Sequence, residues 1–550
     1  MYFSHISIGG GITGLETIIS TFAKIKKELQ KSQNAKKRIR PKKITFAIID
    51  KNPENIPGGV AYGFSLSRYG YFNNPIRLSP TQFTTWLLYG KNKKKLESYL
   101  KRYGGYTGKE WLKKNKNILF SSKVNKQKEM YIPRAFFNIW MEERLILLLL
   151  QIKKIHKKMP ITFEIKFFKG EVIAIKNSIK NYRKIIFKNG FCEELNYKIT
   201  NNPFKKLTFN VKKKKLKSIF SITQNIGIGL PPPKQLATAK AQKNNCYIWD
   251  FYAEGSTALL KEKIFTLNKS KKKIVAYFIG YKAGLLESLP ELLQIIIKKK
   301  INIKIICSSK NLESIQAARL SLNKNEYKLK VLVEKNLHKI NTAKKLYLSI
   351  LKEFQISISN GYKKYDAWTQ ILNKNVLNKF IKNFGTYQKN LYNDVYHNKV
   401  RNITRFTYPE TISAREKLYK KKILVTKKES VKKVDVERKR LVVITKNENH
   451  KSKKYICDLV INVSGPLNTG KIKNEIPLVK SLKENGSKTN DKGFIVNNNF
   501  ELVALKNIYI PGILARGFNP ERKTIIKAIL ENSNIVGQSI AKILTKRIAY

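Results

Sequence analysis

The sequence predicts an α/β protein made of two Rossmann-like dinucleotide-binding domains, the second inserted into the first. Three observations carry that expectation. A glycine loop stands between a short apolar strand and a helix-like segment near the amino terminus. A second strand–glycine–helix unit begins at Ile274. Between them, Pro231-Pro232-Pro233 can continue neither a strand nor a helix and makes a natural crossing point between domains.

In the first unit, Ile6 and Ile8 close an alternating apolar run. Gly9-Gly10-Gly11-Ile12-Thr13-Gly14 follows at once, and a helix-like segment opens at Leu15. Ile44 to Asp50 reads as a second strand ending in an acid, with Lys51 beside it. This order is the dinucleotide fingerprint. Gly9 permits the tight turn, Gly11 lets backbone approach a pyrophosphate, and Gly14 lets helix and strand pack closely. The helix start offers free N–H groups to phosphate, and Asp50 is placed to take ribose hydroxyls. Asp50 lies well beyond the usual spacing of about twenty residues. The excess, Lys24 to Lys43, is polar and basic, and is read as a longer helix followed by an exposed surface loop.

The middle of the chain is expected to continue this pattern. Ile161 to Ile175 and Lys184 to Phe187 look like short strands of an antiparallel piece, and Ile219 to Ile226 like a strand ending at Gly227-Ile228-Gly229. The second unit opens with Ile274 to Ile279, an apolar run suited to a strand buried on both faces. Its turn reads Gly280-Tyr281-Lys282-Ala283-Gly284. The next strand, Ile301 to Ile306, ends in Cys307-Ser308-Ser309-Lys310 and not in an acid. Hydroxyls and a lysine there suit a 2′-phosphate, so a nicotinamide at this site would be NADPH. The expected division is 1–240 for the first part of one domain, 241–454 for the inserted domain and substrate region, and 455–550 for the return.

Composition bounds the partners. With 110 Lys and Arg against 37 Asp and Glu, the formal net charge is +73. Such a balance ordinarily suggests nucleic acid, but the lysines are scattered in small clusters such as Lys212–Lys215, Lys271–Lys273 and Lys298–Lys300. They do not form one stripe with interleaved aromatics. Lysine, asparagine and isoleucine share A/T-rich codons, so drift in base composition accounts for the excess without a specific nucleic-acid partner. The longest apolar run, Leu145 to Leu150, is too short for a membrane span and reads as buried helix. No basic head precedes an apolar stretch at the amino terminus, so no signal peptide is expected. Four scattered cysteines lack a C-x-x-C pair, which suits a reducing cytoplasm. The five histidines show no metal-binding spacing, and His5, in the first strand, is expected to pack in the core.

Further motifs carry a resemblance. Pro57-Gly58-Gly59-Val60-Ala61-Tyr62-Gly63 precedes Asn73-Asn74-Pro75-Ile76-Arg77-Leu78-Ser79, then Phe83, Trp86-Leu87 and Tyr131-Ile132-Pro133-Arg134. Near the carboxyl end stand Val460 to Pro466, Ile510-Pro511-Gly512, Arg516-Gly517 and Glu521. This series resembles the FAD/NAD(P)-binding flavoprotein family that contains FAD-dependent urate hydroxylases and aspartate-type N-monooxygenases. The resemblance implies FAD at Gly9, Gly10, Gly11, Ile12, Thr13, Gly14, Asp50 and Lys51, with Arg134, Gly512 and Glu521 contributing. It places Asn73 and Ser79 beside the isoalloxazine as catalytic candidates. It implies a nicotinamide at Gly280, Lys282, Gly284, Ser308 and Lys310. Lys282 stands where the family carries a glycine, and it either adds charge to the phosphates or blocks the pocket. The implied activity is an FAD-dependent, NADPH-using monooxygenase or hydroxylase of a small polar molecule. Two alternatives stay open: an FAD-binding protein with a degenerate nicotinamide site, and a basic nucleic-acid- or membrane-associated protein on the same scaffold.

Overall fold

The computed structural model describes the chain except residues 35–41, 64–69, 73–74, 123, 156–160, 179–181, 229–235, 252, 254, 282, 310–314, 320, 322–324, 465–471, 473–475, 491–492, 516–524 and 547–550. The first sheet grows from β1 (Tyr2–Ile8), whose residues are mostly buried on both faces. Beside it lie β2 (Lys42–Asp50) and then β3 (Ile161–Lys169), both parallel. Two hairpins follow, β4 (Val172–Asn177) with β5 (Arg183–Phe187), and β6 (Cys192–Ile199) with β7 (Leu207–Leu216). β8 (Ile219–Ile226) then pairs in parallel with β1 on the side away from β2. The order across the sheet is β4-β5-β8-β1-β2-β3-β6-β7. The middle of the sheet is thus parallel and the ends are antiparallel. β3 belongs to the parallel middle, which corrects its assignment to an antiparallel piece; the apolar run also breaks at Gly170, between β3 and β4. At the far edge β7 pairs only with β6 among the described residues, and it carries Lys212–Lys215.

The second sheet repeats the plan. Its strands are β9 (Tyr247–Ile248), β10 (Ile274–Ile279) and β11 (Ile303–Ser308); β12 (Gln316–Ala317) pairs separately with β13 (Phe406–Thr407). β14 (Leu424–Lys427) completes one side, and β15 (Ser430–Glu437), β16 (Arg440–Lys446) and β17 (Ser452–Cys457) form an antiparallel meander. β18 (Leu459–Asn462) returns beside β10, giving the all-parallel order β14-β11-β10-β18-β9. Only after β18 does the chain rejoin the first sheet, through β19 (Ile508–Tyr509) on β8. The boundary expected at 455 therefore falls too early, because the apolar strand ending at Asn462 closes the second sheet. The boundary at 240 falls slightly late. Thr238 already donates its backbone N–H to Val434 (3.0 Å) and its hydroxyl to Asp435 (2.9 Å).

Helices cover the sheets. The one over Ile12–Asn34 confirms the long first helix, and residues 35–41 of the basic insert lie outside the described part. It crosses the last helix, Ile525–Lys546, so closely that a Cβ on Gly537 would sit 2.6 Å from Ser20 Cβ and 2.9 Å from Thr17 O. Ala135–Ile155 buries Phe136, Phe137, Ile139, Trp140, Met141, Leu145, Leu148 and Leu149. Leu147 and Leu150 of the same run are 56% and 44% exposed, so the run expected to be buried is split between two faces of the helix.

Between β12 and β13 stands a helical insertion running from Ala343 to Ile403 with its own apolar core around Leu346, Ile350, Phe354, Phe380 and Tyr392. Its hub is Glu353, fully buried, which accepts from Tyr327 Oη (2.6 Å) and from the backbone N–H groups of Lys330, Val331 and Leu332 at 2.8–2.9 Å. It meets the first domain where Tyr131 Oη and Tyr365 Oη share a buried 2.6 Å hydrogen bond. No helix among the described residues is long and apolar enough to cross a membrane.

Candidate dinucleotide sites

The glycine loop follows β1 at the carboxyl ends of the parallel strands. Neighbouring connections diverge there, since β2 and β8 lie on opposite sides of β1. Gly9 adopts φ +98°, and a Cβ there would lie 2.8 Å from Gly227 O and 3.0 Å from Gly227 C. Gly227 is fixed by donating its N–H to Ile8 O (2.8 Å), and a Cβ on it would meet Thr13 Cβ at 2.8 Å. Gly512 approaches Thr13 Oγ1 at 3.5 Å on the same measure. A Cβ on Gly14 would overlap Gly9 O and Ser7 Oγ. The turn, the helix start and two distant glycines thus converge; Gly9, Gly14 and Gly227 are packed too tightly for a side chain, and Gly512 lies in ordinary contact. Ile12 and Thr13 are buried beneath the loop.

Asp50 closes β2 and locks the loop. Its carboxylate accepts from Gly10 N (2.7 Å) and Asn52 N (2.9 Å). Burial raises its pKa against the opposing pull of those bonds. Asp50 therefore reaches the glycine loop directly, and the carboxylate that would meet a ribose also holds Gly10 in place. Lys51 is exposed.

Gly58 and Gly59 form a feature that the sequence reading quoted as a motif without assigning it to the site. Gly59 has φ +66°, and a Cβ on Gly11 would lie 3.1 Å from its Cα. On the other side, a Cβ on Gly58 would overlap Asn138 Oδ1. Asn138 sits in the helix Ala135–Ile155, which is clamped to the first helix by paired contacts between Arg144 and Glu16. The glycine pairs after a strand acid were the available signal for this turn. Nothing local marks Asn138.

The other candidates divide. Ser79 is 8% exposed and ends the short turn Ile76–Leu78, its N–H bonded to Ile76 O (2.9 Å). Arg134 gives its Nε to Tyr71 O (3.0 Å) and its N–H to Gly70 O (2.9 Å), so it fastens the strand-like segment that leads to Asn73. Asn73, Lys282, Lys310 and Glu521 lie outside the described residues.

The second site reproduces the first. Gly280 adopts φ +112°, donates its N–H to Ser308 O (2.9 Å), and a Cβ there would lie 3.2 Å from Ser464 N. Ser464 thus stands to Gly280 as Gly227 stands to Gly9. Asn462, buried at the end of β18, accepts from Ser464 N (3.1 Å) and Ser464 Oγ (2.6 Å). Gly284 lies in the helix Ala283–Lys299 that follows. Ser308, which closes β11, is 2% exposed, and Ser309 just beyond it is half-buried. Cys307, also buried, donates its thiol to Gly280 O (3.0 Å), and burial pushes its pKa up.

No protein-family model matches the chain, and no curated protein matches it. Solved structures do. An ornithine N-hydroxylase from Kutzneria sp. 744, whose structure is described with reduced FAD, NADP+ and L-ornithine, aligns over 99% of this chain and 100% of its own, at 10% identity and TM-score 0.51. A FAD-bound cadaverine monooxygenase from Erwinia amylovora aligns over 100% and 96%, at 11% identity and TM-score 0.48. A bacillithiol disulfide reductase from Staphylococcus aureus aligns over 100% and 99%, at 12% identity and TM-score 0.46. The chain has the fold of the two-domain FAD/NAD(P)-binding flavoproteins.

Proposed function

We propose that this protein is an FAD-dependent oxidoreductase that takes electrons from NADPH and hydroxylates a small polar molecule. The observation that carries the reading is the first glycine loop. Gly9 at φ +98° lies against Gly227, Gly10 is bonded to Asp50, and Gly11 faces Gly58 and Gly59. A run of three glycines with a helix start behind it suits close approach of a pyrophosphate. FAD held there would supply two-electron transfer between a nicotinamide and a second acceptor. The protein's share is to bind and orient the group. Gly9 to Gly14 would hold the pyrophosphate and Asp50 a ribose, while Ser79 and Arg134 fasten the segment that the family resemblance sets beside the flavin ring. The duplicated turn at Gly280 supports a nicotinamide nucleotide in the second domain, and the fold likeness to an ornithine N-hydroxylase supports the monooxygenase class.

One observation favours a second reading, an FAD-binding protein whose nicotinamide site is degenerate. Ser308 is buried at the end of β11, which leaves the half-buried Ser309 as the described hydroxyl there to meet the 2′-phosphate of NADPH. Anaerobic stopped-flow reduction separates the two. The first reading expects NADPH to bleach the flavin band within seconds, faster than NADH. Protein that binds FAD yet is bleached by neither nicotinamide supports the second, and protein that cannot be reconstituted with FAD removes both.

A further inference from the structure

The helix Ala135–Ile155 is apolar around its first two turns, with Phe136, Phe137, Ile139, Trp140 and Met141 all buried. Asn138 interrupts that run. It is 1% exposed, and its Oδ1 is buried without a hydrogen-bond partner. A buried acceptor left unmade costs about 1–3 kcal/mol relative to a paired one, and such orphans are few in native proteins. Leucine at 138 keeps the same branched shape, with bulkier tips, and carries no polar atom to leave unmade. The amide sits against Gly58, in the turn whose next residue, Gly59, packs on Gly11 of the first loop. The orphan thus adjoins the glycine-walled approach to the dinucleotide site.

We propose that Asn138 is a binding residue for the dinucleotide, its Oδ1 accepting a hydrogen bond from a ribose or ribityl hydroxyl of FAD. This rests on the FAD reading above. The chemistry selects a donor of the ligand, because phosphate oxygens only accept and cannot satisfy a carbonyl oxygen, and the sugar hydroxyls are the donors that adjoin a pyrophosphate held at Gly9 to Gly14. Gly58 covers the amide oxygen in this structure, so the sugar would reach it by displacing the Gly58–Gly59 turn, which has no side chains to move. Arg144, paired with Glu16, fixes the helix that carries it.

The test combines apo-protein stability with FAD affinity in Asn138→Leu and Asn138→Ala. In Asn138→Leu the denaturant midpoint of the apo-protein rises, because the orphan is gone. The dissociation constant for FAD, read by quenching of flavin fluorescence, weakens about tenfold for the lost bond. Asn138→Ala weakens FAD to a similar extent. A structural asparagine gives the opposite pattern, with lower apo-stability and unchanged affinity, and that result overturns the proposal. Failure of both variants to fold also overturns it, since the amide then serves the core. Wild-type protein that takes up no FAD defeats the functional reading itself and this inference with it.

Discussion

Replacing Gly9 and Gly11 separately by alanine should produce two different defects. Alanine at φ +98° is held in a sparsely populated backbone region, which costs about 1–3 kcal/mol. Its Cβ would also press on Gly227 O at 2.8 Å, and Gly227 cannot retreat without loosening its bond to Ile8 O. A weakened backbone hydrogen bond adds about 1 kcal/mol, so Gly9→Ala should destabilise the first domain by about 2–4 kcal/mol. Gly11 has no positive φ, and its nearest neighbour on the same measure is Gly59 Cα at 3.1 Å, which need shift only a few tenths of an ångström. Gly11→Ala should therefore change apo-stability by less than about 1 kcal/mol. Its methyl nevertheless presses on the Gly58–Gly59 turn that walls the pyrophosphate approach, so the variant should purify with little or no flavin. The assay is urea unfolding of each apo-protein followed by FAD titration. A Gly11→Ala protein that binds FAD like wild type, or a Gly9→Ala protein as stable as wild type, would refute the packing argument.

Three further outcomes follow from buried and charged groups. Burial lowers the His5 pKa to about 4 from the ordinary histidine value of 6.5, so the folded protein binds fewer protons than the unfolded chain between those values. Stability should be full above pH 6.5 and fall by about 3 kcal/mol as the pH drops toward 4; His5→Leu should flatten that slope in pH-dependent denaturation, and equal slopes would count against it. Glu353→Ala strands three backbone N–H groups and Tyr327 Oη. At about 1–3 kcal/mol for each unmade buried bond, limited proteolysis should open the insertion around Ala343–Ile403 while FAD still binds; an insertion as resistant as in wild type would discount the hub. Any DNA retention should be independent of sequence and collapse with salt, as counterion release demands, and selective binding at physiological salt would revive a nucleic-acid role.

The parts of this fold written in consecutive residues were legible from the sequence. The strand before Gly9, the long helix after it, the acid at Asp50 and the apolar strands β8 and β10 all stand where periodicity places them. His5 is the packed core residue that its strand position suggested, bonded to Thr223 and Asn225. What escaped depends on chain segments far apart. That Gly227 closes the Gly9 turn is set by strand pairing across more than 200 residues. The return to the first sheet after Asn462 was misplaced because β18 pairs with β10, a partner some 180 residues back that its own residues do not name. Ser308 was expected at a 2′-phosphate from its residue type; its burial comes from packing on both faces at the end of β11, which the residue type does not signal. Asn138 carried no sequence signal, since its isolation among aromatic side chains acquires meaning only once Gly58 is seen against it.

The lysines of β7 bear on how copies of this chain tolerate one another. An exposed sheet edge offers unpaired N–H and C=O groups to any extended segment, and an antiparallel second copy is the most available one. Lys212–Lys215 lie along that edge, and pairing it with itself would bring two such runs together. Their mutual repulsion keeps the edge from templating growth, although Glu194 offsets part of it through Lys212 at 3.1 Å. Four of the lysines that suggest a polyanion partner thus act as a barrier to self-assembly. A polyanion such as heparin would then be expected to cloud a solution of this protein by screening the barrier, without recognising anything in it.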